Sequence, residues 1–206
     1  MLDSPVVQAI LLLVVGAFAG FINTLAGGGS FLTLPLLIFM GLPPTVANGT
    51  NRLAIFLQCL FASAKFHSYG VFPTRFALLV SVPAVAGALL GAHLAATMAD
   101  DTFRQWLAGV MVVMTMLTLF SPGGKRSGPV ELSRGRWVLV AVAFFLAGVY
   151  GGFIQAGVGF LLLACMALTG YDLVAGNAVK VFVVLIFTLF AWPSSSLRAR
   201  SRFSRD

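Results

Sequence analysis

The chain has 206 residues, of which 59% are hydrophobic and only 9% are charged. Because a soluble domain usually carries about 25% charged residues, this composition excludes an ordinary soluble protein and indicates one that crosses a membrane several times. The net charge of +7 does not indicate nucleic-acid binding, since the basic residues lie mostly in short connections and in the tail, as the positive-inside rule predicts.

The first half of the chain begins with a full span and then a short apolar segment. Residues 6–26 are long enough to cross a bilayer, whose core needs about 20 helical residues. Gly27, Gly28 and Gly29 then interrupt the helical pattern, and the apolar piece at residues 31–40 has only half that length. A piece this short predicts a re-entrant segment or one half of a broken helix.

Three further apolar segments complete this half, at residues 45–66, 76–98 and 103–120. Asp100 and Asp101 precede the last of them. Acidic residues stabilise a helix N-terminus, so we expect these two to cap a helix and not to act in catalysis.

A loop at residues 122–136 holds the clearest change of composition and divides the chain. We expect a first transmembrane repeat at residues 1–121 and a second, incomplete one at residues 137–192. A polar basic tail at residues 193–206 follows.

The second half repeats the first in outline. A glycine-interrupted stretch at residues 148–159 precedes a short apolar piece at residues 160–168, and a further helix is expected to end near Trp192. Matched interruptions in two halves are the best sequence pointer to a transport site. The predicted fold is an all-α polytopic transmembrane helix bundle with two repeated halves, each with a glycine-broken helix and a short half-helix.

The helix after each short piece carries asparagine and a cation on neighbouring turns. Asn48, Asn51 and Arg52 stand at i, i+3 and i+4, so they share one side of a helix. Asn177 and Lys180 take the matching positions in the second half. A cation in mid-span costs about 2.5–3.5 kcal/mol, and no Asp or Glu lies in the apolar part of either half. We expect an anionic substrate to supply the missing charge.

The anion would also meet the backbone N–H groups that begin each short helix, because a helix N-terminus attracts negative charge. Two alternatives stay open: the cations snorkel to the membrane interface, or the asparagines only bridge helices. The candidate substrate-binding residues are Gly27, Gly28, Gly29, Ser30, Asn48, Thr50, Asn51, Arg52, Gln155, Gly157, Gly159, Asn177 and Lys180.

The sequence does not indicate catalysis or a metal site. His67 and His93 lie far apart, with no carboxylate or cysteine at a metal-ligand spacing around either. Cys59 and Cys165 lie in apolar segments and are expected to pack there. No catalytic residue, metal or cofactor is predicted, and the protein is not expected to be an enzyme.

Several motifs of the chain occur together in one known family. They are Gly27-Gly28-Gly29-Ser30, Pro35, Gly41-Leu42-Pro43 and Ala47-Asn48-Gly49-Thr50-Asn51-Arg52, with Gly157-Val158-Gly159 and Ala175-Gly176-Asn177 as a weaker second copy. Over roughly residues 5–192 the chain resembles the TauE/SafE sulfite exporter family. This resemblance implies a multi-pass plasma membrane protein that moves sulfite, sulfonates or related organosulfur anions by means of the proton gradient. Family members usually carry seven or eight spans, so the second half looks truncated.

The leading hypothesis is therefore a secondary transporter of a small sulfur-containing oxyanion. Its expected partners are the anion and the lipid bilayer, with a homo-oligomer left open and nucleic acid excluded. A passive anion channel lined by the same residues is one alternative. A non-transporting membrane scaffold is the other, favoured by the missing last spans.

Overall fold

A computed structural model describes residues 4–119 and 133–203, so most of the predicted loop at residues 122–136 lies outside the described residues. Within them the backbone forms eight α-helices and no strand. This arrangement confirms the all-α fold class. The helices are α1 (Pro5–Leu25), α2 (Ser30–Phe39), α3 (Pro44–Ser68), α4 (Thr74–Thr97), α5 (Asp100–Leu119), α6 (Arg134–Phe153), α7 (Val158–Ala167) and α8 (Leu173–Phe203).

Both glycine breaks separate a long helix from a short one. In the first half α1 ends at Leu25 and α2 begins at Ser30, and in the second α6 ends at Phe153 and α7 begins at Val158. Each short helix has 10 residues. The two half-helices therefore lie where the sequence predicts them.

The second break is shorter than the predicted stretch at residues 148–159. Gly148 and Gly152 lie inside α6, where the missing side chains let α4 approach the backbone. A Cβ on either glycine would lie 2.1 Å from a carbonyl oxygen of α4, that of Ala84 or Ala88 respectively. These glycines serve helix packing, and only residues 154–157 leave the helix.

Four helices of the described chain are long and apolar enough to cross a membrane. The predicted spans at residues 45–66 and 103–120 correspond to α3 and α5, which are not among the four. α3 has 25 residues, but the polar side chains in it lower its hydropathy. The protein is a multi-pass membrane protein, and its four clearest spans are Pro5–Leu25, Thr74–Thr97, Arg134–Phe153 and Leu173–Ala191.

The main core lies where α4 packs against α6 and α8. Val80, Phe144 and Phe187, one from each of these helices, are at most 1% exposed. In the fully described helix α1, by contrast, Ala19 is the one buried residue. Contacts at the carboxyl end of α1 are therefore important for fixing this helix to the bundle.

The last helix continues beyond its predicted end at Trp192 and runs to Phe203. The added segment contains three arginines, one leucine and one alanine, which favour a helix, together with Pro193 and four serines, which do not. At its start, Asp172 caps the helix by accepting a hydrogen bond of 2.7 Å from the backbone N–H of Ala175.

Candidate functional site

The two glycine breaks cross each other in direct contact. A Cβ built on Gly27 would lie 2.4 Å from the Cα of Gly159, and the reverse distance is 2.3 Å. Beside this contact the rings of Phe31 and Phe160 stack with centroids 6.2 Å apart. The breaks of the two halves therefore form one junction in the bundle.

The other glycines of the breaks also pack against protein atoms. A Cβ on Gly28 would lie 2.6 Å from a phenylalanine ring of α7, and one on Gly157 would lie 2.5 Å from a phenylalanine ring of α2. Gly29 faces a carbonyl oxygen of α1, which would lie 1.9 Å from an added Cβ. Gly157 also has a φ of +74°, in the left-handed region that favours glycine.

Arg52 reaches across this junction to the carboxyl end of α6. Its Nη2 donates to the carbonyl oxygen of Gly152 and, at 3.4 Å, to that of Gly151. One turn earlier, Nδ2 of Asn48 donates to the carbonyl oxygen of Phe153 at 3.3 Å. The last carbonyls of a helix lack partners inside it and carry partial negative charge, so two side chains of α3 hold this end of α6.

Lys180 binds the carboxyl end of α1 in a similar way. Its Nζ donates to the carbonyl oxygens of Asn23 at 3.0 Å and Thr24 at 2.8 Å, and to Oδ1 of Asn177 at 2.6 Å. An ammonium group has three N–H donors, so all of them are used. Lys180 can attract a ligand by its charge, but it has no hydrogen bond to offer without releasing α1 or Asn177.

Each cation thus lies against the broken helix of the other half. Arg52 and Lys180 are each only 2% exposed, so their side chains lie inside the bundle and not on its surface. The helix ends supply part of the negative charge that the sequence lacks at this depth. Asn48 bridges α3 to α6, as the second alternative expected of the asparagines.

Arg52 keeps part of its hydrogen-bonding capacity unused. Among the described residues, three buried side-chain nitrogen or oxygen atoms have no partner: Nε and Nη1 of Arg52, and Oε1 of Gln155. The N–H groups of Nε and Nη1 point to different sides of the guanidinium, so each can donate to a separate ligand oxygen. The junction therefore holds a cation with two nitrogen atoms that lack partners and, at Oε1 of Gln155, an acceptor that lacks one.

A small cavity adjoins Gln155, Gly159 and Lys180, three of the predicted residues. Asn23 and Cys59 also line it, and its volume of about 10 Å³ gives room for about one water molecule. It lies at the start of α7, where the first N–H groups have no partner inside the helix. Positive charge, helix-start donors and a free acceptor therefore meet at this point.

A larger cavity of about 230 Å³ lies among α1, α2 and α3, and the predicted residues Ser30 and Asn51 line it. Nδ2 of Asn51 donates to Oγ of Ser30 at 3.0 Å, and its Oδ1 accepts from Oγ1 of Thr33 at 2.6 Å. Gln58 and Asn23 add a hydrogen bond of 3.0 Å on the same wall. The polar part of its lining consists of amide and hydroxyl groups, the rest is glycine, alanine and Ile55, and neither cation lines it.

Thr50 is not brought to either cavity, because it lies exposed on the outer face of α3. It follows the buried Asn48 by two residues, which places it about 200° further around the helix. The structure therefore separates it from the other predicted residues.

Sequence reasoning missed several polar residues of the junction. Asn23 and Thr24 form the end of α1, and the signal for them is a polar pair at the end of an apolar span, just before a glycine run. Thr188 bonds Gln155, with Oγ1 at 2.9 Å from Nε2. In the part of the chain that the structure describes, no group of three or more His, Cys, Asp or Glu residues could hold a metal ion.

These observations define a class: a multi-pass membrane protein whose two helix breaks cross at a junction with two buried cations. The family described as "Sulfite exporter TauE/SafE" matches residues 12–200. The chain therefore belongs to the TauE/SafE family.

Curated relatives agree with this assignment. The chain is 32% identical to a "Probable membrane transporter protein" of Haemophilus influenzae over 79% of its own length, and 30% identical to the "Probable membrane transporter protein ORF9" of Sinorhizobium sp over 81%. It is 29% identical to the "Probable membrane transporter protein YfcA" of Escherichia coli K12 over 85%. The chain spans 64%, 64% and 65% of these three relatives. No solved structure matches it significantly.

Proposed function

We propose that this chain serves in secondary transport of small sulfur-containing oxyanions, such as sulfite or a sulfonate, with a link to the proton gradient. The observation that carries the proposal is that Nε and Nη1 of Arg52 have no hydrogen-bond partner. A buried arginine that keeps two nitrogen atoms without partners has donors available for a ligand.

The energetics favour an anion at this place. Leaving a buried donor unpaired costs about 1–3 kcal/mol, and more for a charged group. An oxyanion that accepts from one of these N–H groups would make a charge-assisted hydrogen bond and neutralise the charge. The family and its relatives are named as exporters and membrane transporters, which supports this use of the site.

The position of Arg52 also suits alternating access. It belongs to the first half and holds the end of α6 in the second half. In transporters with broken helices, substrate sites lie where two such halves meet, and the halves move around the site. An anion bound by Arg52 would sit at that boundary.

The test is uptake of radiolabelled sulfite by proteoliposomes that contain the purified chain, with and without an imposed pH gradient. We expect saturable uptake that the gradient drives, and its loss in Arg52→Gln. Lys65→Gln is the matched control, because Lys65 is an exposed cation on the same helix. Uptake that neither saturates nor responds to the gradient would indicate a channel. No uptake by folded, inserted protein would contradict the proposal and favour a scaffold.

A further inference from the structure

We infer that the transported anion carries a proton, and that Gln155 recognises the resulting O–H group. This inference rests on the proposed function and narrows its substrate class. It makes Gln155 a specificity-determining residue that selects the hydrogen form of an oxyanion over the fully deprotonated form.

The amide of Gln155 is held in place and keeps one atom free. The side chain is 1% exposed, and its Nε2 is 2.9 Å from Oγ1 of Thr188. Its backbone N–H points at Oδ1 of Asn48, 3.5 Å away. Oε1 is left without a partner. A carbonyl oxygen accepts and never donates, so a ligand atom that satisfies it must be a donor.

The surroundings of Oε1 call for negative charge on the same ligand. The cavity that Gln155 lines also adjoins Lys180, whose three N–H groups are used but whose charge remains. Val158 and Gly159 line it too and begin α7, so their N–H groups have no partner inside that helix. A ligand with an anionic oxygen and an O–H group fits both demands. A fully deprotonated anion would set a lone pair against Oε1.

Selection of the hydrogen form of the anion would couple transport to the proton gradient without a carboxylate inside the apolar spans. The chain has six Asp and Glu residues, and none lies in the apolar part of a predicted span. The titratable and charged groups near Gln155 are Lys180 on α8, Cys59 and Arg52 on α3, and Tyr150 on α6, whose hydroxyl donates to the carbonyl oxygen of Ala156. An anion that crosses in its hydrogen form carries the proton itself.

The cavity holds about one water molecule, so anion binding requires the break at residues 154–157 to move. A water molecule alone at Oε1 is the competing explanation. The two explanations predict different effects of removing the Gln155 side chain on the preference for an anion with an O–H group, and an experiment can measure that preference.

The experiment compares two probes, sulfite and methanesulfonate, by their inhibition of labelled sulfite uptake and by the thermal stabilisation that they give the purified full chain. Sulfite gains an O–H group in mildly acidic buffer, whereas methanesulfonate stays a monoanion without one. We expect sulfite to bind about tenfold more tightly in acidic than in alkaline buffer. Methanesulfonate should bind more weakly, with no such change, which excludes titration of the protein as the cause.

Gln155→Leu should abolish the preference and bring sulfite to the level of methanesulfonate. Gln105→Leu is the matched control, since it removes the same amide from an exposed position on α5 that does not line this cavity. It should keep the preference. Equal binding of both probes, tighter binding of sulfite in alkaline buffer, or an unchanged preference in Gln155→Leu would each overturn the inference alone. No anion binding by folded wild-type protein would overturn the proposed function, and this inference with it.

Discussion

Gly27 and Gly159 touch through their backbones at the crossing of the two helix breaks, so that a Cβ on either would lie within 2.4 Å of the Cα of the other. Neither position has room for any side chain. The contact sets the distance between the halves, and thereby places Arg52 at the end of α6 and Lys180 at the end of α1.

Gly159→Ala should therefore destabilise the bundle strongly. The added methyl group meets backbone atoms that cannot rotate away, and overpacking of this kind costs about 1–3 kcal/mol or more. Thermal unfolding in detergent, followed by tryptophan fluorescence, measures the change. Gly49→Ala is the control, because a Cβ at Gly49 meets no atom within 4 Å. Equal stability of the two variants would contradict the described crossing.

The sequence predicted the helices of the junction because their signals are local. Glycine runs end helices, and a ten-residue apolar piece is too short to span, so both breaks and both short helices could be located. The prediction placed Asn48 and Arg52 on one face of α3, and both are buried there.

The partners of these residues could not be predicted, because they belong to distant parts of the chain. Arg52 bonds carbonyl groups about 100 residues away, and backbone carbonyls carry no sequence signal. The role of Gly148 was misassigned for a related reason. A glycine that ends a helix and one that admits a neighbouring helix look alike until the neighbour is known.

Gly16 and Gly20 of α1 also show that the role of a glycine cannot be assigned until its neighbours are known. They have the spacing of Gly87 and Gly91 on α4, so the sequence predicts close helix packing for both pairs. The structure bears this out on α4 only, where added Cβ atoms would lie 2.1 and 1.9 Å from carbonyl oxygens of α6. At Gly16 and Gly20 an added Cβ meets no atom within 4 Å.

Gly91→Ala and Gly16→Ala should accordingly behave differently. The first forces α4 away from α6 and should lower stability by about 1–3 kcal/mol. The second should change stability by no more than about 1 kcal/mol, in the stabilising direction, because alanine favours a helix over glycine. The same unfolding assay compares them. A large loss in Gly16→Ala would show that another helix covers this face of α1.

Lys180→Met should loosen the end of α1. The substitution leaves the carbonyl oxygens of Asn23 and Thr24 without their buried donor, at a cost of about 1–3 kcal/mol each. Because α1 is lightly packed, the loss should appear as faster hydrogen exchange in its last turn before global unfolding. Lys65→Met removes an exposed cation and serves as the control. Unchanged exchange in Lys180→Met would mean that other contacts hold α1.

Arg52→Lys should separate the structural role of Arg52 from its role in binding. Lys180 demonstrates in this same bundle that an ammonium group can hold two carbonyl oxygens at a helix end, at 3.0 and 2.8 Å. A lysine at position 52 can therefore keep the hold on α6 through Gly151 and Gly152, and the thermal stability should fall by less than about 1 kcal/mol. It cannot offer the further N–H groups that Nε and Nη1 of arginine keep without partners. Sulfite uptake should then fall at least about tenfold, which corresponds to about 1.4 kcal/mol of lost binding.

Unfolding and uptake are measured on the same preparation. Wild-type uptake by Arg52→Lys would show that Arg52 only fastens α6, whereas loss of both stability and uptake would show that the ammonium group cannot replace it at the helix end.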